Sequence, residues 1–172
     1  MSEKSHKTAL VIGAGAFGTS IASVLAANFE KVILKVRSQD VFAGIDSKNE
    51  NIVYLPGTKL PKNIFAAKEW EDLDREDGNI ELIVSGLPTS AIKNYYQQIS
   101  ERIKGYLSRE IPFVSLSKGI DPETLELADD LFFDLFPNHR ESFTFLSGPS
   151  FAHEIIQEQI TLVTLSGRSK KT

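Results

Sequence analysis

Apolar residues along this chain follow two periods, and the alternation between them predicts the architecture. Four residues suited to a buried strand, Ala9, Leu10, Val11 and Ile12, run into Gly13, and an apolar helix-like run from Ile21 to Ala27 follows. The pattern predicts a first strand over Thr8 to Ile12, a helix over about Phe17 to Asn28 and a second strand over Lys31 to Val36. In the second strand Val32, Leu34 and Val36 share one face and Lys31 and Lys35 the other. Ile33, on the lysine face, breaks strict alternation, as a strand covered on both faces should. Val41 to Asn51 carries a mixed signal, read as a short helix ending in the polar run Asp46 to Asn51. Asn51 to Pro61, NIVYLPGTKLP, holds prolines and a glycine and must be a shaped loop.

Ile64 to Ala67 is a short strand, and Lys68 to Glu76 a short amphipathic helix with Trp70 and Leu73 on one face, ended by Asp77-Gly78-Asn79. Ile80 to Ser85 is a buried strand closed by Gly86-Leu87-Pro88. Ile92, Tyr95, Tyr96, Ile99 and Ile103 then fall on one helical face, with Ser90 as the N-cap. Ile111 to Ser117 is the next strand, ending at Lys118-Gly119, and Asp121 caps a helix with Pro122 at its first position and a stripe of Leu125, Ala128, Leu131, Phe132 and Leu135. Phe143 to Leu146 forms a strand, Ser147-Gly148-Pro149-Ser150 leads into a short helix through about Gln157, and Ile160 to Leu165 is a last strand before a polar, frayed tail from Ser166 to Thr172. Strands alternate with helices throughout, without repeats or linkers. That predicts a single three-layer α/β domain, a doubly wound, mostly parallel sheet of Rossmann-like type, with an ordered core over about residues 7–167.

The turn after the first strand carries chemistry. Gly13, Gly15 and Gly18 stand at the spacing G-x-G-x-x-G between a strand and a helix. In a dinucleotide site the first permits the tight turn, the second lets the backbone approach a pyrophosphate, and the third lets helix and strand pack closely. The helix start adds unpaired N–H groups and the positive end of a dipole. The alternative is a bare structural turn; the strand–glycine–helix–strand context favours the nucleotide.

In such sheets ligands bind beyond the carboxyl ends of the strands. Those ends here are Gly13 to Phe17, Arg37-Ser38, Gly86-Leu87-Pro88, Ser117-Lys118-Gly119 and Ser147-Gly148-Pro149-Ser150, which suit an anionic ligand. At the end of the second strand an acid usually serves the NAD ribose and an Arg suits a 2′-phosphate. Arg37 and Ser38 stand there, with no acid before Asp40, so NADP is favoured over NAD; adenine stacking or a solvated surface position for Arg37 stays open. Lys118 sits where a point charge can hold a phosphate or polarise a carbonyl, or is a lysine in a solvated turn. Gly148-Pro149-Ser150 either opens a helix onto an anion or makes a plain turn. His153 and Glu154 read as surface residues, and Tyr95, Tyr96 and Trp70 as packing.

Bulk properties narrow the classes. The 172 residues fit one domain, able to bury roughly 70% of its unfolded surface. A net charge of -4 argues against nucleic-acid and anionic-membrane partners. The chain has no cysteine, which excludes disulfides and thiolate chemistry, and His6, His139 and His153 have no ligand spacing, so no metal is expected. No apolar run is long enough to span a bilayer, and the polar start MSEKSHK makes the cytoplasm the expected location.

GAGAFGT, NIVYLPGTKLP, LSKGI and LSGPSFAHEI, in that order, resemble the N-terminal half of the NAD(P)-dependent sn-glycerol-3-phosphate dehydrogenase family, bacterial type, over nearly all of residues 7–167. The resemblance implies reversible hydride transfer between dihydroxyacetone phosphate and sn-glycerol 3-phosphate with NADP or NAD, at the entry to glycerophospholipid synthesis. It also implies cofactor contacts at Ala16, Phe17, Arg37, Lys118 and Ala152, beside Gly13, Gly15, Gly18, Ser38 and Pro88 of the strand ends, and substrate contacts at Lys118, Gly148 and Ser150. The family's general acid/base lysine and its phosphate-holding residues lie in a second, helical domain. The chain reaches Thr172 before any of them, and Lys170 and Lys171 do not match that lysine's context, so no catalytic residue is expected here and the chain is read as the cofactor-binding half. A homodimer is compatible with this reading. The alternatives are a stand-alone dinucleotide-binding regulatory module and the cofactor half of another NAD(P)-dependent dehydrogenase; YLPG and GPSFA argue against the latter.

Overall fold

The computed structural model describes residues 7–168. His6, Lys170 and Lys171, and with them the end of the expected frayed tail, lie outside the described residues. The strands are β1 (Thr8–Ile12), β2 (Lys31–Lys35), β3 (Ile64–Ala67), β4 (Ile80–Ser85), β5 (Phe113–Ser115), β6 (Phe143–Ser147) and β7 (Thr164–Gly167). The helices are α1 (Ala16–Leu25), α2 (Gln39–Lys48), α3 (Thr89–Gln98), α4 (Ser100–Ser108), α5 (Ala128–Leu135) and α6 (Ala152–Ile156). One sheet runs β3-β2-β1-β4-β5-β6-β7, parallel except for the antiparallel pairing of β7 with β6. The chain steps outward from β1 to β3, then returns to β4 on its other side, so the strand order reverses between β1 and β4.

Both faces of the sheet are covered. Leu10 and Ile12 of β1 join Ile33, Ile83, Tyr96, Phe113, Phe132 and Phe143 in one core, whereas Ala9 and Val11 join Val32, Leu34, Val41, Ile45 and Leu116 in the other. Ile33 thus belongs to the face opposite Val32 and Leu34. The lysines beside it are accommodated rather than solvated: Lys31 pairs with Glu76 at 2.5 Å, and Lys35 lies 5.4 Å from the Trp70 ring centre.

Several local expectations give way. The helix over Lys68 to Glu76 shrinks to a 3-10 turn, Glu71–Leu73. Asp72 takes the backbone N–H groups of Lys68 and Glu69 with one carboxylate oxygen, and a single turn repays little of the cost of helix nucleation. The long helix after Pro88 breaks at Ile99 (φ -116, ψ 20) into α3 and α4, which lets Ile103, Tyr106 and Leu107 reach the same core as Ile92 and Tyr96. Its N-cap is Pro88, not Ser90, and the Thr89 hydroxyl is used on Lys118 O at 3.2 Å.

Asp121 does cap, but only a turn: its Oδ1 accepts the N–H groups of Glu123 and Thr124, both at 2.9 Å, and Leu125 then turns left-handed (φ 59). The helix therefore starts at Ala128, and Leu125 is 77% exposed, off the stripe. The mixed segment after Ser38 is a full helix closed by Asn49 at φ 49. The last strand slides to Thr164–Gly167, which takes Ser166 out of the expected tail and leaves Ile160 and Leu162 before it, 98% and 77% exposed.

Candidate functional site

Three loops converge where the strand order reverses. At the centre is the glycine turn. Gly13 has φ +107, and a Cβ there would stand 3.0 Å from the carbonyl carbon and oxygen of Gly86. A Cβ on Gly18 would stand 2.1 Å from Gly13 O. These two glycines are demanded by the protein's own packing, in the close approach of α1 to β1 and β4. Gly15 is different. It is the N-cap of α1 at φ -68 and ψ 175, which any residue adopts, and a Cβ on it would meet nothing within 4 Å. Nothing in the protein requires glycine there, but a ligand drawn against the backbone would. The first turn of α1 holds no acidic residue and no side chain caps it, so its N–H groups remain available to an anion.

Two buried polar residues, not singled out by the sequence, support this turn. Asn51 is fully buried; its Nδ2 donates to Ala14 O at 2.9 Å and to Thr19 Oγ1 at 2.8 Å, while its Oδ1 accepts the Tyr54 N–H at 3.2 Å. Ser20, also fully buried, has its Oγ 2.9 Å from both Ala16 O and Ala152 O, which share its single proton, joining α1 to α6. The signal for Asn51 is a polar residue opening an otherwise apolar, proline-shaped stretch. Ser20 gives none, since a serine inside a helix reads as exposed.

On the other flank Lys118 reaches across. Its Nζ donates to Gly148 O at 2.9 Å and to Ser150 Oγ at 3.0 Å, and lies 5.1 Å from the Phe17 ring centre. Gly148 adopts φ +122, and a Cβ there would stand 2.9 Å from Leu162 O. Ser117 Oγ donates to Leu87 O at 2.7 Å, tying the β5 loop to the one that ends at Pro88. Phe17, Lys118, Gly148 and Ser150 are thus brought into one cluster, and Ala152 is held to α1 beside it.

Arg37 and Ser38 stand at the end of β2, the strand next to β1, with Gly13 N–H bonded to Lys35 O at 3.1 Å. Arg37 is exposed, and among the described residues no ion pair engages it. That leaves an exposed cation beyond the carboxyl end of β2.

The remaining candidates fall elsewhere. Tyr95 and Tyr96 meet edge to face at 5.4 Å, and Tyr96 is fully buried in the core. Among the described residues no group of three or more His, Cys, Asp and Glu could hold a metal, and no helix is long and apolar enough to cross a membrane. A depression of about 620 Å³ lined by Asp74, Asp77, Arg102, Tyr106 and Arg109 lies at the opposite ends of the strands, where β4 and β5 begin. Its arginines are already paired with Asp74 and Asp77.

The whole arrangement has known relatives. The chain is 34% identical over 161 residues to glycerol-3-phosphate dehydrogenase (NAD(P)+) of Neorickettsia sennetsu and 35% identical over 162 residues to that of Myxococcus xanthus. Each alignment covers 94% of this chain but only 45% and 46% of the relative, so the chain spans under half the length of the curated relatives it matches. In fold it is similar to glycerol-3-phosphate dehydrogenase of Coxiella burnetii, with a TM-score of 0.77 at 23% identity, covering 96% of this chain and 48% of that one. The Plasmodium falciparum enzyme gives the same TM-score and identity over 95% and 46%. Residues 8–172 match the family model for the N-terminus of NAD-dependent glycerol-3-phosphate dehydrogenase, and it is to this family that the chain belongs.

Proposed function

We propose that this chain is the cofactor-binding half of an oxidoreductase that interconverts sn-glycerol 3-phosphate and dihydroxyacetone phosphate with NADP or NAD, in the cytoplasm, in the service of glycerophospholipid synthesis. The observation that carries the reading is the position of Lys118, whose ammonium joins the Phe17 edge of the glycine turn to Gly148 O and Ser150 Oγ. One cation thereby borders both the place for a dinucleotide and the loop beside it where a small phosphorylated substrate would sit.

The residues present fit a dinucleotide. The open side of Gly15 and the uncapped start of α1 would hold the pyrophosphate, Gly13, Ala16, Phe17, Gly18, Pro88 and Ala152 would line its course, and Arg37 with Ser38 would receive the ribose 2′-phosphate of NADP. When bound, the nicotinamide supplies the hydride acceptor or donor. The chain's own residues bind and orient: Lys118 fixes the substrate beside the nicotinamide and offsets negative charge on its oxygen, and Gly148 and Ser150 shape that edge. Proton transfer is left to the lysine that the family keeps in its second domain. Phe151, Ile160, Leu162 and Leu165 are 66%, 98%, 77% and 57% exposed beside this edge, and such an apolar surface suits the docking of that domain.

Calorimetric titration with NADPH and with NADH, with Arg37→Asp alongside, tests the reading. Tighter binding of NADPH, lost in Arg37→Asp, supports the site and the role of Arg37. Equal binding of both cofactors keeps the site and assigns Arg37 to adenine packing. Binding of neither removes the cofactor role from this chain.

A further inference from the structure

Asn51 lies in the loop before β3, far in sequence from the glycine turn, yet its buried carboxamide donates to that turn and to the helix that follows it. Both Nδ2 protons are spent, on Ala14 O and Thr19 Oγ1, and Oδ1 is spent on its own loop at Tyr54. The requirement is narrow: two donors and an acceptor on one short side chain, away from water. Aspartate offers no donor and leucine offers nothing.

The consequence for Gly15 is geometric. A trans peptide sends its C=O and N–H in opposite directions, and no peptide among the described residues is cis. Asn51 draws Ala14 O inward, so the N–H of the same peptide unit, which belongs to Gly15, is turned outward. A Cβ of Gly15 would meet nothing within 4 Å, and among the described residues no acceptor of the protein meets the Gly15 N–H. The amide is therefore held in a fixed direction by a buried bond on its other face and left vacant on the side where a ligand would arrive.

We propose that Asn51 is a positioning residue for diphosphate recognition: by pinning the Ala14–Gly15 peptide plane it aims the Gly15 N–H at a phosphate oxygen of a dinucleotide. Through Tyr54 the same side chain makes the proline-shaped loop a brace for the turn. The inference rests on the dinucleotide reading of the site. It goes beyond it in giving a residue outside the glycine motif control over how well that motif binds.

The test titrates the full chain, Asn51→Leu and Asn51→Asp with NADPH and follows the amide signals of Gly15 and Ser38 by NMR. In the unmodified chain both signals should move on binding. In the variants affinity should fall about tenfold or more, the size of one lost charge-assisted hydrogen bond. At saturating NADPH the Ser38 signal should still respond while the Gly15 response shrinks, which a general loss of stability would not produce. A folded variant that binds as the parent does overturns the proposal. So does a Gly15 signal that stays still while the unmodified chain binds, an outcome readable even if neither variant folds. If the unmodified chain binds neither NADPH nor NADH, the dinucleotide reading itself fails and takes this inference with it.

Discussion

Gly18 lies directly against Gly13, so near that a Cβ on Gly18 would stand 2.1 Å from the Gly13 carbonyl oxygen. Neither atom belongs to a flexible side chain, so the clash can be relieved only by moving backbone, and α1 would be pushed off the sheet. Gly15, between the two in sequence, has no such constraint.

The two glycines should therefore part company on substitution. Gly18→Ala should cost about 1–3 kcal/mol in urea denaturation, as overpacking does. For Gly15→Ala, a slightly poorer N-cap and a less flexible unfolded chain offset each other, and stability should stay within about 1 kcal/mol of the parent. NADPH affinity should nevertheless fall in Gly15→Ala, because the methyl group occupies the space open to the pyrophosphate. A Gly15→Ala protein that binds as tightly as the parent would remove the ligand-based reason for that glycine.

Lys118 holds the loop at Gly148 from outside, by bonds to Gly148 O and Ser150 Oγ, while its stem lies near Phe17. Lys118→Met keeps an unbranched apolar stem and removes the donor. Hydrogen exchange should quicken over residues 148–152 while global stability moves by no more than about 0.5 kcal/mol, since the group is on the surface. Lys118→Arg should not restore protection, because a planar fork does not reproduce a compact ammonium. Unchanged exchange in Lys118→Met would show that the loop is held by other contacts.

Glu50 closes the proline-shaped loop at its base. Its carboxylate accepts the Gly57 N–H at 2.9 Å and the Lys59 ammonium at 3.1 Å, and these two, the Gly57 bond first, hold its pKa below the ordinary glutamate value. A carboxyl whose folded pKa is depressed contributes stability above its unfolded pKa and loses it as pH falls through the folded one. Protection of the Gly57 amide should accordingly decline as pH drops below the ordinary glutamate range, and Glu50→Gln should flatten that decline. A Gly57 amide whose protection in the parent does not vary with acidity would contradict the assignment.

The core beneath α5 is aromatic. Phe132 is fully buried, with ring centres of Tyr96, Phe113 and Phe143 at 5.2, 5.1 and 5.0 Å. Phe132→Ala should cost about 3–5 kcal/mol, measured by chemical denaturation, because the surrounding rings are stiff and collapse poorly into the space left. A loss below about 1 kcal/mol would mean that the cluster repacks freely.

Legibility from sequence followed the range of the forces involved. β1, β2 and β4 read clearly because a strand buried on both faces carries consecutive apolar residues in its middle, and Ile33 among the lysines disclosed the second covered face. Local polar patterns misled where one turn satisfied them. Asp121 and Pro122 have the chemistry of a helix start, but Leu125 at φ 59 spends it on a single turn. Asp72 did the same to the segment after β3. The glycines and the cation at Lys118 were visible because their spacing is local. Asn51 and Ser20 were not: each acts on atoms brought near only by folding, 37 residues away from Asn51 at Ala14 and 132 away from Ser20 at Ala152.

The placing of β1 at mid-sheet has a consequence for the order in which the chain is made. Its partner β2 follows after a single helix, but β4 and the backbone of Gly86, against which Gly13 rests, arrive only near the middle of the chain. A ribosome-bound chain that has not yet exposed Gly86 can form neither the second edge of β1 nor the wall behind the glycine turn. Such long-range pairings close large loops before any contact rewards them. The glycine turn, though encoded near the start, is completed only by residues synthesised much later.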